Sequence, residues 1–491
     1  MPDGARFLPH ERFPLRNGDV SFWFSQLGPA PARPALGGDL EVDVAIVGAG
    51  YTGLWSAYYL AKADPSLRIA VLESHHVGYG ASGRNGGWVA NSITGGREDD
   101  TARVGRAVEG RFQEIFNDAV DEVGRVAAAE GIDAHYVKGG ELLVARNPAQ
   151  LERLKAEAAH EESWPEDSAV FLSPAELATR VNVAGALGAM HVPHCARIQP
   201  ARLARGLADA VERLGVTIYE GTTVLSLEPG SGGGSGEGAG GTGRGAGRGP
   251  RAVTDHGTVS AAQVLRCTEG FTASIKGLKR DWLPMNSSMI VTEPLPESLW
   301  EQIGWDGMET LEDMAHGYVY LQRTEDGRIA IGGRGKPYKF GSATDLDGDT
   351  PPETVAALTR QLHAMFPGTV GLKIDHAWSG VLGVPRNWKS TVGLDPVTGL
   401  GWAGGYVGTG VTATNVAGRT LADLVLGVDS ELTRMPWVNR RVRKWEVEPL
   451  RWIAVHVMYA LFYSADRSED RRGGSTRWWA KLANAVSGRG H

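Results

Sequence analysis

Three glycine-rich turns carry the chemistry that can be read from this 491-residue chain. The first, GAGYTG at 48–53, has the spacing G-x-G-x-x-G and stands between an apolar run at 42–47 and a helix expected over Thr52–Ala63. In that setting Gly48 makes the turn, Gly50 lets an anion approach the backbone, and Gly53 lets helix and strand pack closely. The free N–H groups at the helix start, from Tyr51 and Thr52 onward, then face a pyrophosphate. Glu73 closes a second apolar run, RIAVLE at 68–73, twenty residues after Gly53. A carboxylate there accepts hydrogen bonds from ribose hydroxyls and repels a 2′-phosphate, so the unit predicts a dinucleotide site that disfavours NADP.

The second turn, YGASGRNGG at 79–87, separates FAD from NAD. An NAD site seldom needs another glycine-rich loop directly after the second strand, whereas the ribityl chain and ring of FAD extend further along the protein. Gly80, Gly83, Gly86 and Gly87 permit close backbone approach. Ser82 is expected to bond phosphate, Arg84 to offset its charge, and Asn85 to hold a turn or bond the flavin. The third turn, GGYVGTGVTATNVAG at 404–418, runs into a helix with Val411 and Thr412 at its start. Its N–H groups either stabilise negative charge on a reduced flavin or simply turn the chain.

The elements that position these turns follow from periodicity and punctuation. Residues 1–38 read as an extended arm anchored by SFWF at 21–24. Helices are expected within 101–130 and at 151–162, 173–181, 200–215 and 351–367, with Ser173, Pro174 and Glu176 forming a capped start. Strands are expected at 139–146, 216–220, 223–228, 263–270 and 287–295, and 318–333 reads as a hairpin turning at Asp326-Gly327. The low-complexity run 229–251 separates two strand-like segments and reads as an expanded hairpin loop. The aromatic, amphipathic stretch 445–467 is expected to pack on the core.

Composition excludes several classes. The net charge of −7 offers no global attraction for nucleic acid. Cys195 and Cys267 are the only cysteines, too few for a disulfide framework or a zinc cluster, and no metal site is expected. This usage fits a reducing cytoplasm. The start MPDGARFLPHERFPLRNGD lacks the apolar core of a secretion signal. The run 42–61 is broken by Gly48, Gly50 and Gly53, so a strand–turn–helix replaces an integral membrane segment.

The chain resembles the D-amino-acid-oxidase-like family of FAD-dependent oxidoreductases, most of all its γ-glutamylputrescine-oxidoreductase-like branch. The blocks that carry the resemblance are DVAIVGAGYTGLWSAYYLA, VLESHHVGYGASGRNGGW, IQPARLARGLADAVERLGVTIYEGTTV, RIAIGGRG, WSGVLGVPRNWKSTVG and GWAGGYVGTGVTATNVAGRTLADLVLG, in order across most of residues 20–450. It implies an α/β fold, α+β overall, in which a Rossmann-like FAD-binding domain is interleaved with a mixed β-sheet substrate domain. The expected division is an arm at 1–40, a discontinuous FAD-binding domain at 41–100, 195–280 and 375–430, a substrate-binding cap at 101–194 and 281–374, the insert at 229–251, and an extension at 431–491.

Carried over residue by residue, the resemblance assigns Gly48, Gly50, Tyr51, Thr52 and Gly53 to the pyrophosphate and Glu73 to the ribose. Ala81, Ser82, Arg84, Asn85, Gly86 and Gly87 would line the ribityl and ring region. Val224 would hold the adenine edge, Thr268 and Gly270 would pass near the cofactor, and Gly405, Gly408, Gly410, Val411 and Thr412 would close over the flavin. Substrate-side candidates are Arg334, Tyr338, Trp378 and Arg386, with His316 and Tyr320 weaker. Some relatives tether flavin through a cysteine in the C-terminal half. None follows Cys267 here, so FAD is expected to be noncovalent. The implied reaction oxidises the C–N bond of a small-molecule amine or amino acid. A hydride passes to flavin N5, the imine hydrolyses to an aldehyde or keto acid plus ammonia or an amine, and oxygen or another acceptor takes the electrons. The alternatives are an NAD-dependent dehydrogenase and a flavin-binding subunit of an electron-transfer complex.

Overall fold

Residues 42–61 form a strand, a tight turn and a helix, because the apolar run is short, unbroken and glycine-terminated. A computed structural model describes residues 15–480 and 483, apart from 31, 97, 165, 167, 232–248, 336, 345 and 346. Part of the arm, most of the Gly-rich insert and the end of the C-terminal extension therefore lie outside the described residues.

Strand Val44–Val47 is buried on both faces and lies inside a six-stranded sheet. The sheet order is Thr217–Tyr219, Ile69–Leu72, Val44–Val47, Gln263–Arg266, Leu400–Gly404, Thr391–Asp395. The first five strands are parallel and the last pairs antiparallel. Parallel strands buried on both faces read as continuous apolar runs, which is how they stand in the sequence. Val44 and Ile46 point toward the helices Tyr51–Ala63, Arg106–Ala129, Pro200–Arg213 and Gly410–Leu426. Ala45 and Val47 point the other way, toward a four-stranded sheet that includes Val224–Glu228 and Arg251–Thr254. Those two strands pair antiparallel, so the 229–251 insert sits in a hairpin as expected.

A nine-stranded mixed sheet supplies the second layer. Its order is Arg16–Asn17, Ile374–Pro385, Trp282–Thr292, Ile329–Gly333, Val319–Arg323, Thr310–Asp313, Glu141–Ala145, Gly188–Val192, Val170–Leu172. Alternation divides its faces. Leu142, Val144, Leu311, Leu321, Ile329 and Ile331 join one apolar cluster with Leu358 and Leu362 of helix Pro352–Met365. The residues between them, including Glu141, Glu312 and Tyr320, occupy the opposite face.

The chain crosses between the two sheets repeatedly. The SFWF arm is ordered: Ser21 caps a short helix, and Phe22 and Trp23 are buried beside Trp378. Helix Leu450–Arg472 packs Val455 and Tyr459 against Tyr338, Trp388 and Trp445. Among the described residues no helix is long and apolar enough to cross a membrane.

Candidate active site

The first and third glycine-rich turns lie at the carboxyl ends of parallel strands in the six-stranded sheet, and the second lies in the loop that leaves strand Ile69–Leu72. Gly48 follows Val44–Val47, Glu73 follows Ile69–Leu72, Thr268 follows Gln263–Arg266, and Gly405 follows Leu400–Gly404. The chain leaves Val44–Val47 toward Ile69–Leu72 on one side, while Gln263–Arg266 flanks it on the other. A crevice opens at such a switch point.

The first turn is shaped by backbone contact. Gly48 has φ +104°, and a Cβ there would lie 2.7 Å from the carbonyl oxygen of Cys267. A Cβ on Gly53 would meet the carbonyl oxygen of Gly48. Glu73 is held under the turn: Oε2 accepts the Ala49 N–H at 2.8 Å and Oε1 the His75 N–H at 3.1 Å. Burial raises its pKa, and these amide donors oppose the rise.

The second turn is braced from behind. Arg84 is buried; its Nε donates to the Tyr79 carbonyl at 2.8 Å and its Nη1 to the Ser379 carbonyl at 3.2 Å. Asn85 ties the loop to itself, donating to Ala81 and Ser82 carbonyls and accepting the Gly87 N–H at 2.7 Å. The outward carbonyls are taken by the arm and the nine-stranded sheet. Ser21 donates to Gly83, Trp23 to Asn85, and Trp378 to Arg84, at 2.6, 2.9 and 2.9 Å. Ser82 Oγ turns inward and accepts the Tyr51 N–H at 2.8 Å, joining this loop to the first helix turn.

The third turn is fixed by a residue the sequence reading passed over. Glu269, at φ +41°, accepts N–H donors from Gly405 at 2.7 Å, Tyr406 at 3.2 Å and Gly383 at 3.3 Å. Burial pushes its carboxyl up to about 7 against the pull of these donors. An acid just after a strand that ends at the expected cofactor turn, in QVLRCTEG, was the available signal.

A cavity of about 410 Å³ joins the turns to the nine-stranded sheet. Its walls include Gly48, Gly50, Tyr51, Thr52, Glu73, Ala81, Ser82, Arg84, Asn85, Gly86, Val224, Thr268, Gly270, Gly408, Gly410 and Val411. Gly53, Gly87, Gly405 and Thr412 stand behind these walls rather than in them. From the nine-stranded sheet come Ser287, Tyr320 and Arg334. Tyr320 Oη lies 2.8 Å from Ser287 Oγ, and Arg334 Nη2 donates to the Val407 carbonyl at 2.9 Å.

Comparison with known proteins identifies the architecture. The profile described as FAD dependent oxidoreductase matches residues 43–424. The chain belongs to this family. This FAD-dependent oxidoreductase is 30% identical over 403 residues to the gamma-glutamylputrescine oxidoreductase of Escherichia coli (strain K12), covering 80% of this chain and 85% of the relative. It is 28% identical over 424 residues to the protein called "Probable oxidoreductase OrdL" of Rhizobium meliloti (strain 1021), covering 84% and 89%. The crystal structure of glycine oxidase from Geobacillus kaustophilus shares its fold, with a TM-score of 0.66 at 20% identity over 82% of this chain and 99% of that one.

The residues present fit the family's cofactor. The glycine cradle leaves no room for side chains at Gly48 and Gly53. Helix Gly410–Leu426 begins without a side-chain cap at Thr409, and the buried Thr412 Oγ1 has no hydrogen-bond partner among the described residues. Uncapped N–H groups at a buried helix start suit an electron-rich ring edge.

Three substrate-side expectations are corrected by position. Tyr338 points away from the cavity; its hydroxyl donates to Glu448, which also holds Arg451. Trp378 is packed among Phe22 and Trp23 and serves the Arg84 carbonyl. Arg386 pairs with Glu446 at 3.1 Å and lies over Trp445. His316 is likewise elsewhere, donating its backbone N–H to Asp466 of the C-terminal helix. Arg334 does line the cavity, and so does Tyr320. Arg84, expected to offset phosphate charge, braces its loop as described above and also lines the cavity.

Proposed function

We propose that the enzyme holds FAD noncovalently along this cavity and oxidises a C–N bond of an amine or amino acid. The observation that carries the reading is the continuity of one cavity from Glu73 and the Gly48 turn to Arg334 and Tyr320. The named relatives, a gamma-glutamylputrescine oxidoreductase and glycine oxidases, support the same chemistry.

Gly48 to Thr52 and the start of their helix would receive the pyrophosphate, Glu73 the ribose, and the Ala81–Gly87 loop the ribityl chain. Bound FAD supplies a hydride acceptor for the C–H beside the substrate nitrogen. The protein's own work is placement and exclusion of water. Arg334 is buried, which opposes its charge, but the neighbouring Tyr318, Tyr459 and Tyr320 act the other way and the net shift is upward, so the guanidinium stays protonated. It would bind a substrate carboxylate, with the Tyr320–Ser287 pair orienting the polar end. A neutral amine loses the hydride without an obligatory general base, and the imine hydrolyses in water. The six-stranded sheet and its helices form the cofactor body in this reading, and the nine-stranded sheet the substrate wall. The unpaired, buried Cys195 and Cys267 support a reducing, cytoplasmic setting.

The test is anaerobic titration of the purified yellow protein with polyamines, their γ-glutamyl derivatives, and D- and L-amino acids. Bleaching of the flavin by at least one of these is expected. Protein without flavin absorbance, or flavin that no amine bleaches, overturns the reading. Acid precipitation is expected to release the flavin into the supernatant, and yellow pellets would overturn the noncovalent assignment.

A further inference from the structure

Helix Leu450–Arg472 is apolar on its outer face as well as its inner one. Inward, Val455, Tyr459 and Phe462 are buried in the body of the protein. Outward, Leu450, Ile453, Val457 and Ala460 are exposed, at steps of three and four residues, and Arg467 and Arg471 follow about two turns on. That spacing places them on one side of the helix. Leu450 is 59%, Ile453 47% and Val457 55% exposed, although a helix that is apolar all round is ordinarily covered on every side. The stripe has apolar neighbours. Val447, just before the helix, is exposed, as is Phe340, whose ring meets that of Trp452 edge-on at 6.4 Å.

Cations stand at both ends of the stripe. Arg441, Arg443 and Lys444 precede the helix and are exposed, as are Arg467 and Arg471. Arg443 pairs with Glu446 at 2.8 Å and Lys444 with Asp281 at 3.4 Å. Arg441, Arg467 and Arg471 form no hydrogen bond or ion pair among the described residues. From Arg440 to Arg477 nine Lys or Arg stand against five Asp or Glu, in a chain whose net charge is −7.

We propose that this face docks on an anionic lipid surface, with Leu450, Ile453 and Val457 entering the acyl boundary and the flanking cations meeting the headgroups. Helices that lie in a bilayer interface have this make-up: apolar side chains and tryptophan toward the lipid, Lys and Arg beside them. A second copy of the chain is a poorer complement. Antiparallel pairing over the apolar turns sets Arg467 of each copy near the Arg441–Lys444 segment of the other. Parallel pairing sets each arginine against its own counterpart. Either arrangement brings like charges together. The stripe from Leu450 to Ala460 is also only about 15 Å long and about 10 Å wide, far below the roughly 800 Å² per partner of a stable protein interface. A lipid surface supplies the opposite charge and has no such threshold. The same helix touches the wall of the candidate active site, where Tyr463 Oη donates to the Gly335 carbonyl at 3.0 Å, next to Arg334. It thus stands between the lipid and that wall.

The test is flotation of the flavin-loaded full chain with vesicles of phosphatidylglycerol and phosphatidylcholine in equal parts, compared with phosphatidylcholine alone. Partitioning onto the anionic vesicles is expected to be about tenfold higher or more at low salt, and to fall as salt rises. Ile453→Glu and Val457→Glu are each expected to abolish flotation, and Arg467→Glu with Arg471→Glu to reduce it about threefold or more on anionic vesicles. All four positions are exposed, and flavin absorbance and circular dichroism verify that each variant folds. The wild-type comparison of lipids and salt needs no variant. Absence of flotation with anionic vesicles, equal flotation with both lipids, or flotation undiminished in Ile453→Glu overturns the proposal. A stable dimer by light scattering that Ile453→Glu dissociates, with no flotation of the wild type, overturns it in favour of a second copy on this face.

Discussion

The carboxylate of Glu269 accepts the backbone N–H of Gly405 at 2.7 Å, so one strand end dictates the conformation of a turn that follows 136 residues later. Tyr406 and Gly383 donate to the same group. In Glu269→Gln the amide NH₂ faces these donors. Hydrogen bonds to a charged acceptor contribute about 1.5–3 kcal/mol, and a loss of that order in urea-unfolding stability is expected. Flavin affinity is expected to fall with it, read by fluorescence of flavin released on dilution. A variant with unchanged stability and unchanged flavin retention contradicts the role.

Trp378 is a brace rather than a substrate contact. Trp378→Phe keeps most of the packing among Phe22 and Trp23 but removes the donor to the Arg84 carbonyl. A destabilisation of about 1 kcal/mol is expected, with kcat/KM for the best substrate changed less than twofold. A large kinetic effect at unaltered stability would return Trp378 to the substrate side.

Arg334 is the position where substrate charge is to be felt. Arg334→Ala is expected to retain flavin while weakening turnover of carboxylate-bearing substrates by about 2–5 kcal/mol of transition-state binding. Substrates without a carboxylate are expected to lose much less. Equal losses for both groups, measured as kcat/KM, would remove the carboxylate assignment.

The C-terminal helix carries a pH-dependent attachment. Burial opposes ionisation of Glu469, but His316 Nε2 at 3.4 Å and Arg153 Nη1 at 3.0 Å outweigh it and hold its carboxyl at about 2. A depressed folded-state pKa gives stability that is complete above the ordinary glutamate value and lost as pH falls through the folded one. The stability difference between the wild type and Glu469→Gln is therefore expected to shrink as pH falls between about pH 4.5 and 2. Denaturant titrations across that range measure it, and a difference that grows toward acid contradicts the assignment.

The nucleotide end was legible because its signals are local. Glycine spacing, an apolar run and a following acid are all contained within residues 42–73, and the structure realises them in place. Ser173 and Glu176 likewise form a capping box, with Pro174 at the helix start, that three letters announce. The substrate end was not legible in the same way. Tyr338, Trp378 and Arg386 have suitable side chains, but strand Ile374–Pro385 enters the nine-stranded sheet beside Trp282–Thr292, and that long-range pairing turns Trp378 toward the arm. Glu269 had no motif around it. Its significance comes from a turn that meets it from more than a hundred residues away.

The arm described at the start of the fold has a bearing on biosynthesis. Ser21 and Trp23 are translated early, and their carbonyl partners at Gly83 and Asn85 soon after. Their aromatic partner Trp378, which also secures Arg84, is translated 294 residues after Arg84. The nascent protein thus has its nucleotide turn well before the loop beyond it can be locked. Stable capture of the cofactor becomes a late event that follows synthesis of strand Ile374–Pro385, and polypeptides halted before that strand emerge lack the clamp.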